Sequence, residues 1–592
     1  MERFKSHLLT THALEISDSF DCGEAFGYGN FQRGVLLFAI VSVWVMHAHT
    51  LSFPLISGEL DHWCKKPRDV NVSDDAWKSS AIPLEDDGRR SQCTVYASPD
   101  DHNDSAVVHC EQWDYDAEVA HTTIVSSWNL VCHRRWLLPL AIAVFMAGSL
   151  GFLVVGGAVA DIIGRKLTIL GATCVLMLAA FGGCFADTYL IYVSTRFFIS
   201  GASCTLCIIS GVLVAEVSTN RHRAVHVSFS GIAGLWLGDA WFAVLREVRL
   251  NWIALQFLMV APTLLLPLGC AFIRESPRWL IARHKLKGAE AVVHEVARAN
   301  GFPEDGASAF IERLRSQELE HAKASMATAT GEFKSLITGT VLRRGMVVFF
   351  ASFNVMGAYY VVLLTSAARK KPWMRWTSLA IDGAFNAVYL AVVDRMSRVT
   401  IAATAFTLAG VSCSLLAFVL TSSVPEELGI VLLILAKGVT GVAVVITTLC
   451  AAETFPSAVR GSGCCLYYTC ARLGGMFASG ASILRAAGLE DLVLGIAAAV
   501  LFLSAHVIER LPSQSTAFHH DATLSPPRTL SPAEVVKEMQ GTLEPRTKAK
   551  ALKKRRSINA SALSSPNLRF PSSGNPMNPQ LGLVRSASVH LS

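Results

Sequence analysis

The chain has 592 residues, of which 52% are hydrophobic and only 17% charged, and it carries a formal net charge of +6. With a mean hydropathy of +0.41, it has too little charge to cover the surface of a soluble protein of this size, so a soluble globular fold is excluded. The positive excess lies in the connections between apolar runs and in the C-terminal tail, where it suits anionic lipid and gives no nucleic-acid signal.

Residues 1–33 read as a cytoplasmic N-terminus. No compact apolar run follows Arg3 and Lys5, so the first span is expected to stay as an uncleaved anchor. About twelve apolar runs follow, near 34–56, 136–159, 167–187, 189–213, 225–245, 252–273, 343–364, 376–393, 400–420, 428–450, 462–485 and 490–508. Each is close to the roughly 20 residues an α-helix needs to cross about 30 Å of hydrocarbon. Strands of a membrane barrel would alternate over about ten residues, and these runs do not. The expectation is an all-α polytopic membrane protein of twelve helices in two pseudo-symmetric six-helix bundles, 34–273 and 343–508. Arg165 with Lys166, Arg221 with Arg223, the basic loop after the sixth run, Arg395 with Arg398 and the tail segment "KAKALKKRRS" then share one side, which places both termini in the cytoplasm. The segment "ARKKPW", 368–373, falls on the opposite side and is the exception.

Between the first two runs lies a polar segment, 57–135, expected outside. It holds Cys64, Cys93, Cys110 and Cys132, which predict two disulfides with three connectivities open. Its sequons at Asn71 and Asn103 predict glycosylation. The cysteines within the runs read as small buried hydrophobes, and none has a His or acid at metal-ligand spacing. The linker 274–342 contains the amphipathic stretches "LKGAEAVVHEVARAN" and "SAFIERLRSQELEHAKAS", expected as short cytoplasmic helices. The tail 509–592 is rich in Ser and Pro and reads as disordered and cytoplasmic. It is a place for cytoplasmic partners or for kinases acting at Ser557, Ser586 and Ser588.

The most informative feature is a repeat. "ADIIGRK", 160–166, places Asp161, Gly164, Arg165 and Lys166 between the second and third runs, and "VDRMSRV", 393–399, repeats Asp394 and Arg398 with Ser397 and Val399 in place of the glycine and lysine. Downstream, Glu216 precedes Arg223 by seven residues and Glu453 precedes Arg460 by seven; Arg196 before Gly201 matches Lys437 before Gly441. Repeated halves are how carriers build a central site between two rocking bundles. An Asp at a helix end can accept from the N-terminal amides of a neighbouring helix and pair with Arg, a latch that breaks when the bundles part.

Charges inside spans cost about 2.5–3.5 kcal/mol on insertion scales and mark function. Arg472 and Lys437 favour an anionic ligand, and Tyr359, Tyr360, Tyr467 and Tyr468 offer aromatic walls. Asp239, with Asp382, supports the alternative of a cation or zwitterion. There is no G-x-x-x-x-G-K-[ST] loop and no H-E-x-x-H, so gradient-driven movement of a small organic ion is expected, with no enzyme activity, cofactor or metal.

On these residues the chain resembles the major facilitator superfamily, and within it solute carrier family 22, the organic ion transporters, as a divergent member. The resemblance is carried by "ESPRWLI", Glu275 to Ile281, by "ETFPSAVRG", by "CEQWDYD" and "SSWNLVC" in the outer segment, and by "GNFQ" and "AYY", and it covers about 20–510. It implies alternating access in the plasma membrane and adds Glu275 and Arg278 to the gating set. Arg472 is similar to the arginine of the family's anion carriers, where cation carriers have an aspartate. A rival reading keeps the fold and makes the protein a receptor or scaffold, with the outer segment binding an extracellular protein.

Overall fold

The computed structural model describes residues 22–58, 60–67, 72–85, 88–97, 106–116, 122–248, 250–283, 285–312, 340–367, 372–422, 425–480 and 489–511. All of them fall in one compact unit, Met1–Thr516. The first six long helices are α1 Asn30–Ile56, α2 Leu137–Ile163, α3 Arg165–Cys184, α4 Tyr189–Val217, α5 Arg223–Glu247 and α6 Trp252–Cys270. The second six are α7 Thr340–Ala367, α8 Pro372–Val392, α9 Arg398–Thr421, α10 Glu426–Thr454, α11 Arg460–Gly480 and α12 Glu490–Ile508. In α6 the stretch Ala261–Leu264, with Pro262 inside it, tightens to a 3-10 turn, as a missing N–H requires.

Packing follows the repeat. In the first half α4 contacts α1, α2 and α3, while α1 packs on α5 and α6; in the second half α10 contacts α7, α8 and α9, while α7 packs on α11 and α12. The halves meet through α2 against α11 and α5 against α8, again a matched pair. Large apolar side chains such as Leu178, Leu190, Phe418 and Phe477 stand exposed on the outer helix faces. Surfaces of that kind suit lipid and would aggregate in water.

The count of apolar spans needs one correction. Among the described residues ten helices are long and apolar enough to cross a membrane. The two that fall short are α8, which carries Arg375 and Asp382 in 21 residues, and α11, whose sequence "RGSGCCLYYTCARLGGMFASG" is diluted by Gly, Ser, Tyr and Arg472. Packing sets both among the apolar helices: α8 lies against α5 and α10, and α11 against α2 and α7. The first helix also begins at Asn30, ahead of its apolar run, because the Gln32 side chain turns back to accept from Gly29 N at 3.1 Å.

The segment 57–135, in its described residues, folds onto the first half. Strands β1 His62–Cys64 and β4 Trp113–Tyr115 pair antiparallel, as do β2 Thr94–Tyr96 and β3 Val107–His109. Disulfides join Cys64 to Cys110 and Cys93 to Cys132. Trp113, Ile124 and Leu130 of this segment share a buried cluster with Tyr192 of α4 and Trp252 of α6, and Trp252 Nε1 donates to Ser127 Oγ at 2.8 Å. Asn71, Asn103, residues 368–371 and the tail serines lie outside the described residues.

In the linker, the helix Leu286–Asn300 buries Ala289, Val293, Val296 and Ala297, the one-sided spacing of an amphipathic helix. Asn300 fastens it to the chain before α1, donating to Phe26 O at 3.1 Å and to Gln32 Oε1 at 3.0 Å. Residues 304–312 are helical and take in the start of the second stretch, 308–312, whose remainder lies outside the described residues.

Peptide mapping of the unreduced protein by mass spectrometry is expected to recover the links Cys64–Cys110 and Cys93–Cys132. Recovery of Cys64 joined to Cys93 or Cys132 would overturn this arrangement.

Candidate functional site

The repeated motif builds a charged junction where the halves meet. The chain leaves α2 through Gly164, whose φ of +114° favours glycine. Space demands glycine as well, since a Cβ would stand 2.2 Å from Glu275 Oε2. That carboxylate caps α3, accepting from Arg165 N at 2.8 Å and Lys166 N at 3.2 Å, and so satisfies amides that an isolated helix N-terminus leaves open. Burial pushes the Glu275 carboxyl above the ordinary carboxylate range, and the amides of Ser276, Arg165 and Lys166 with the Arg165 charge offset this only in part. The carbonyl of Asp161 is taken by Trp279 Nε1 at 2.9 Å and Arg283 Nε at 3.0 Å, so the "ESPRWLI" helix closes the end of α2 from below.

Arg165 then reaches across. Its guanidinium is fully buried and grips Glu216 of α4 with Nε to Oε2 at 3.0 Å and Nη2 to Oε1 at 2.9 Å, a bidentate pair. Nη1 meets Asp161 Oδ1 at 3.0 Å, and Nη2 also donates to Ser457 O of the second half at 2.7 Å. Arg460, the first residue of α11, reaches Glu216 Oε1 at 3.4 Å. Asp161 completes the bridge by accepting from Gly461 N at 3.0 Å and from Ser462 N and Oγ, both at 2.7 Å. A carboxylate of one half therefore caps a helix of the other.

The second copy is built differently. Ser397 has an ordinary φ of −65° and caps α9 itself, its hydroxyl accepting from Thr400 N at 3.1 Å. Arg398 stands 3.8 Å from Asp394 and 3.7 Å from Glu453. Its side chain keeps 23% of its surface exposed and Asp394 keeps 38%, against 0% for Arg165 and Glu216. No external carboxylate has to enter this turn, so it needs no glycine.

Around these pairs the residues predicted as gating sort into groups. Arg223 and Arg278 both donate to Asn220 Oδ1, a shared acceptor that sequence reasoning missed. Lys166 contributes its backbone amide to the Glu275 cap. Arg196 does not belong to the junction. It lies twenty residues before Glu216 on α4, about 30 Å away at 1.5 Å per residue, where it donates to His49 O at 3.1 Å and Ser52 Oγ at 2.7 Å and stacks 4.2 Å from the Phe145 ring.

Midway along the halves stands Arg472 of α11, 4% exposed. It donates to Tyr468 Oη at 3.2 Å and Tyr360 Oη at 3.4 Å, and to two sulfur atoms of the first half, Met46 Sδ and Cys204 Sγ, each at 3.4 Å. Its Nε is buried without a partner, and no carboxylate among the described residues forms an ion pair with it. Tyr468 is four residues earlier on the same helix face and stacks under the guanidinium at 5.0 Å. Tyr467, predicted as part of this wall, is not: one residue on, its ring turns into the second half and its hydroxyl meets Thr448 Oγ1 at 2.9 Å. Lys437 is likewise no free cation, because Asp382 Oδ2 holds it at 2.7 Å. Asp239 is paired with His47 at 2.8 Å. His47 was overlooked, although an ionisable side chain in the apolar run "WVMHAHT" is itself a signal. One cavity, about 190 Å³, lies elsewhere, at the C-terminal ends of α1 and α5 beside Leu55, Thr123 and Trp252.

A family model described as sugar (and other) transporter matches residues 99–503. Among characterised proteins, human solute carrier family 22 member 11 is 30% identical over 369 residues, 62% of this chain and 66% of that protein's length. Solute carrier family 22 member 6-A of Xenopus laevis is 24% identical over 483 residues, covering 76% of this chain and 84% of that one. Among solved structures, the proton:xylose symporter XylE, bound to 6-bromo-6-deoxy-D-glucose, superposes with a TM-score of 0.58 at 15% identity, covering 82% of this chain and 96% of that one. The chain belongs to the sugar (and other) transporter family of the major facilitator superfamily and is a distant relative of solute carrier family 22.

Proposed function

We propose that this protein is a secondary transporter of amphipathic organic anions, multi-pass in the plasma membrane with both termini cytoplasmic, working by alternating access. The observation that carries the choice of anion is Arg472. A guanidinium buried between the halves, whose hydrogen-bond partners among the described residues are phenols and sulfur atoms, lacks the partner that such a charge requires. A carboxylate or sulfonate supplies that partner, and Tyr360 and Tyr468 border the place where its apolar body would lie. Lys437 attracts no anion while Asp382 neutralises it, so the anion preference rests on one cation.

The junction of Asp161, Arg165, Glu216 and Arg460 serves as the latch on the cytoplasmic side. Opening that side withdraws Asp161 from α11 and Arg460 from Glu216. Closing it returns both to full hydrogen bonding, so the two states of the latch are discrete. Asn71 and Asn103 are the proposed glycosylation sites of the outer segment.

Replacing Arg472 by Ala should abolish uptake of organic anions at unchanged surface abundance; uptake equal to the parent protein would remove the site assignment. The latch makes a second, independent expectation for thermal unfolding in detergent. Arg165→Ala leaves Glu216 buried and is expected to cost about 3–5 kcal/mol, whereas Arg398→Ala removes a looser, partly solvated pair and should cost about 0–1 kcal/mol. Equal losses would contradict the asymmetry between the two copies.

A further inference from the structure

Four ionisable side chains that neither the latch nor Arg472 uses meet between the halves. His47 of α1 lies with Nε2 2.8 Å from Asp239 Oδ1 of α5. Lys437 of α10 donates to Asp382 Oδ2 of α8 at 2.7 Å and to Ser378 Oγ at 3.0 Å. The two pairs lie along the α5–α8 contact, where Trp236 Nε1 of α5 donates to Leu379 O of α8 at 3.3 Å and would stand 3.5 Å from a Cβ at Gly383, the neighbour of Asp382. The charge of Lys437 acts on Asp239 as well as on Asp382, and the Tyr359 phenol of α7 interacts with all three. Gly238 admits the imidazole, since a Cβ there would stand 2.7 Å from His47 Cδ2. Asp382 Oδ1 is buried with no hydrogen-bond partner.

The charges do not balance. With a neutral His47 the four groups sum to minus one, two carboxylates against one ammonium. An uncompensated charge among apolar helices is costly, and one proton removes it. Arg472 extends the count: with Arg472 included, the empty, unprotonated pair of sites sums to zero, an anion alone brings it to minus one, and an anion with a proton restores zero.

We propose that His47, Asp239, Asp382 and Lys437 form a proton-binding site and that one proton taken up there moves together with the anion held at Arg472. The Asp239 carboxylate accepts from the Nε2–H of His47, and the incoming proton adds to the Nδ1 lone pair, giving an imidazolium with no other bond made or broken. The four side chains retain between 13% and 33% of their surface, which leaves a path for the proton. Other ionisable groups of this region have partners of their own: His49, two residues further along α1, meets Thr263 Oγ1 at 3.2 Å, Arg196 of α4 donates to His49 O and Ser52 Oγ, and Arg472 of α11 donates to the Tyr360 and Tyr468 hydroxyls, Cys204 Sγ and Met46 Sδ.

This inference rests on the anion-carrier reading, and the test separates the two. The full chain is reconstituted in vesicles with a trapped pH dye, and uptake of labelled naphthalene-1-sulfonate is followed, a probe that stays ionised so that pH cannot act through it. One pH unit, acid outside, should raise initial uptake several-fold, up to about tenfold, and sulfonate entry should acidify the lumen. His47→Gln and Asp239→Asn should lose the stimulation. Sulfonate uptake that ignores the gradient and moves no protons in the parent protein overturns the inference and leaves the carrier reading standing. Stimulation that survives in both variants overturns the assignment to these residues. Absence of sulfonate uptake at every pH overturns the carrier reading and this inference with it.

Discussion

The arrangement of the two halves depends on one carboxylate placed at the end of a helix that is not its own. Asp161 closes α2 in sequence, yet its oxygens satisfy the first amides of α11. In a medium without water to substitute, those amides and that charge each need the other. Arg165 holds the carboxylate in place, and Glu216 balances Arg165 and Arg460 together. The network is fully bonded only while the halves touch there, and the proposed cycle makes use of that despite the cluster's desolvation cost.

The internal duplication explains why this network has a counterpart and why the counterpart is weaker. Both turns must cap the helix that follows. The first uses Glu275, brought in by the segment after α6, and must leave room for it at Gly164. The second uses the hydroxyl of Ser397 and keeps the solution local. Losing the glycine is therefore part of a different capping scheme, and the loose pairing of Arg398 with Asp394 and Glu453 accompanies it.

Much of this was legible in the sequence. Apolar runs gave the helices to within a few residues, because each must be continuous to span hydrocarbon, and the repeat pointed to the charged junction, because both copies set acids and arginines at helix ends. What stayed hidden depends on rotation about helix axes and on partners far away in the chain. The neighbours Tyr467 and Tyr468 point to different sides of α11. Lys437 meets Asp382, 55 residues earlier in the chain, and no spacing rule announces that pairing. Arg196 precedes Gly201 much as Lys437 precedes Gly441, with one residue more between them, but twenty residues of helix separate it from Glu216. The disulfide pairing was open for a similar reason, since three connectivities satisfy the same four positions.

The outer segment is fastened by its tryptophan cluster and by Ser127 to the ends of α4 and α6, both in the first half. In the alternating-access cycle proposed above it is ballast on one arm of a rocker: it would travel with the bundle that carries Asp161, and a molecule gripping it would hold that arm and leave the other free.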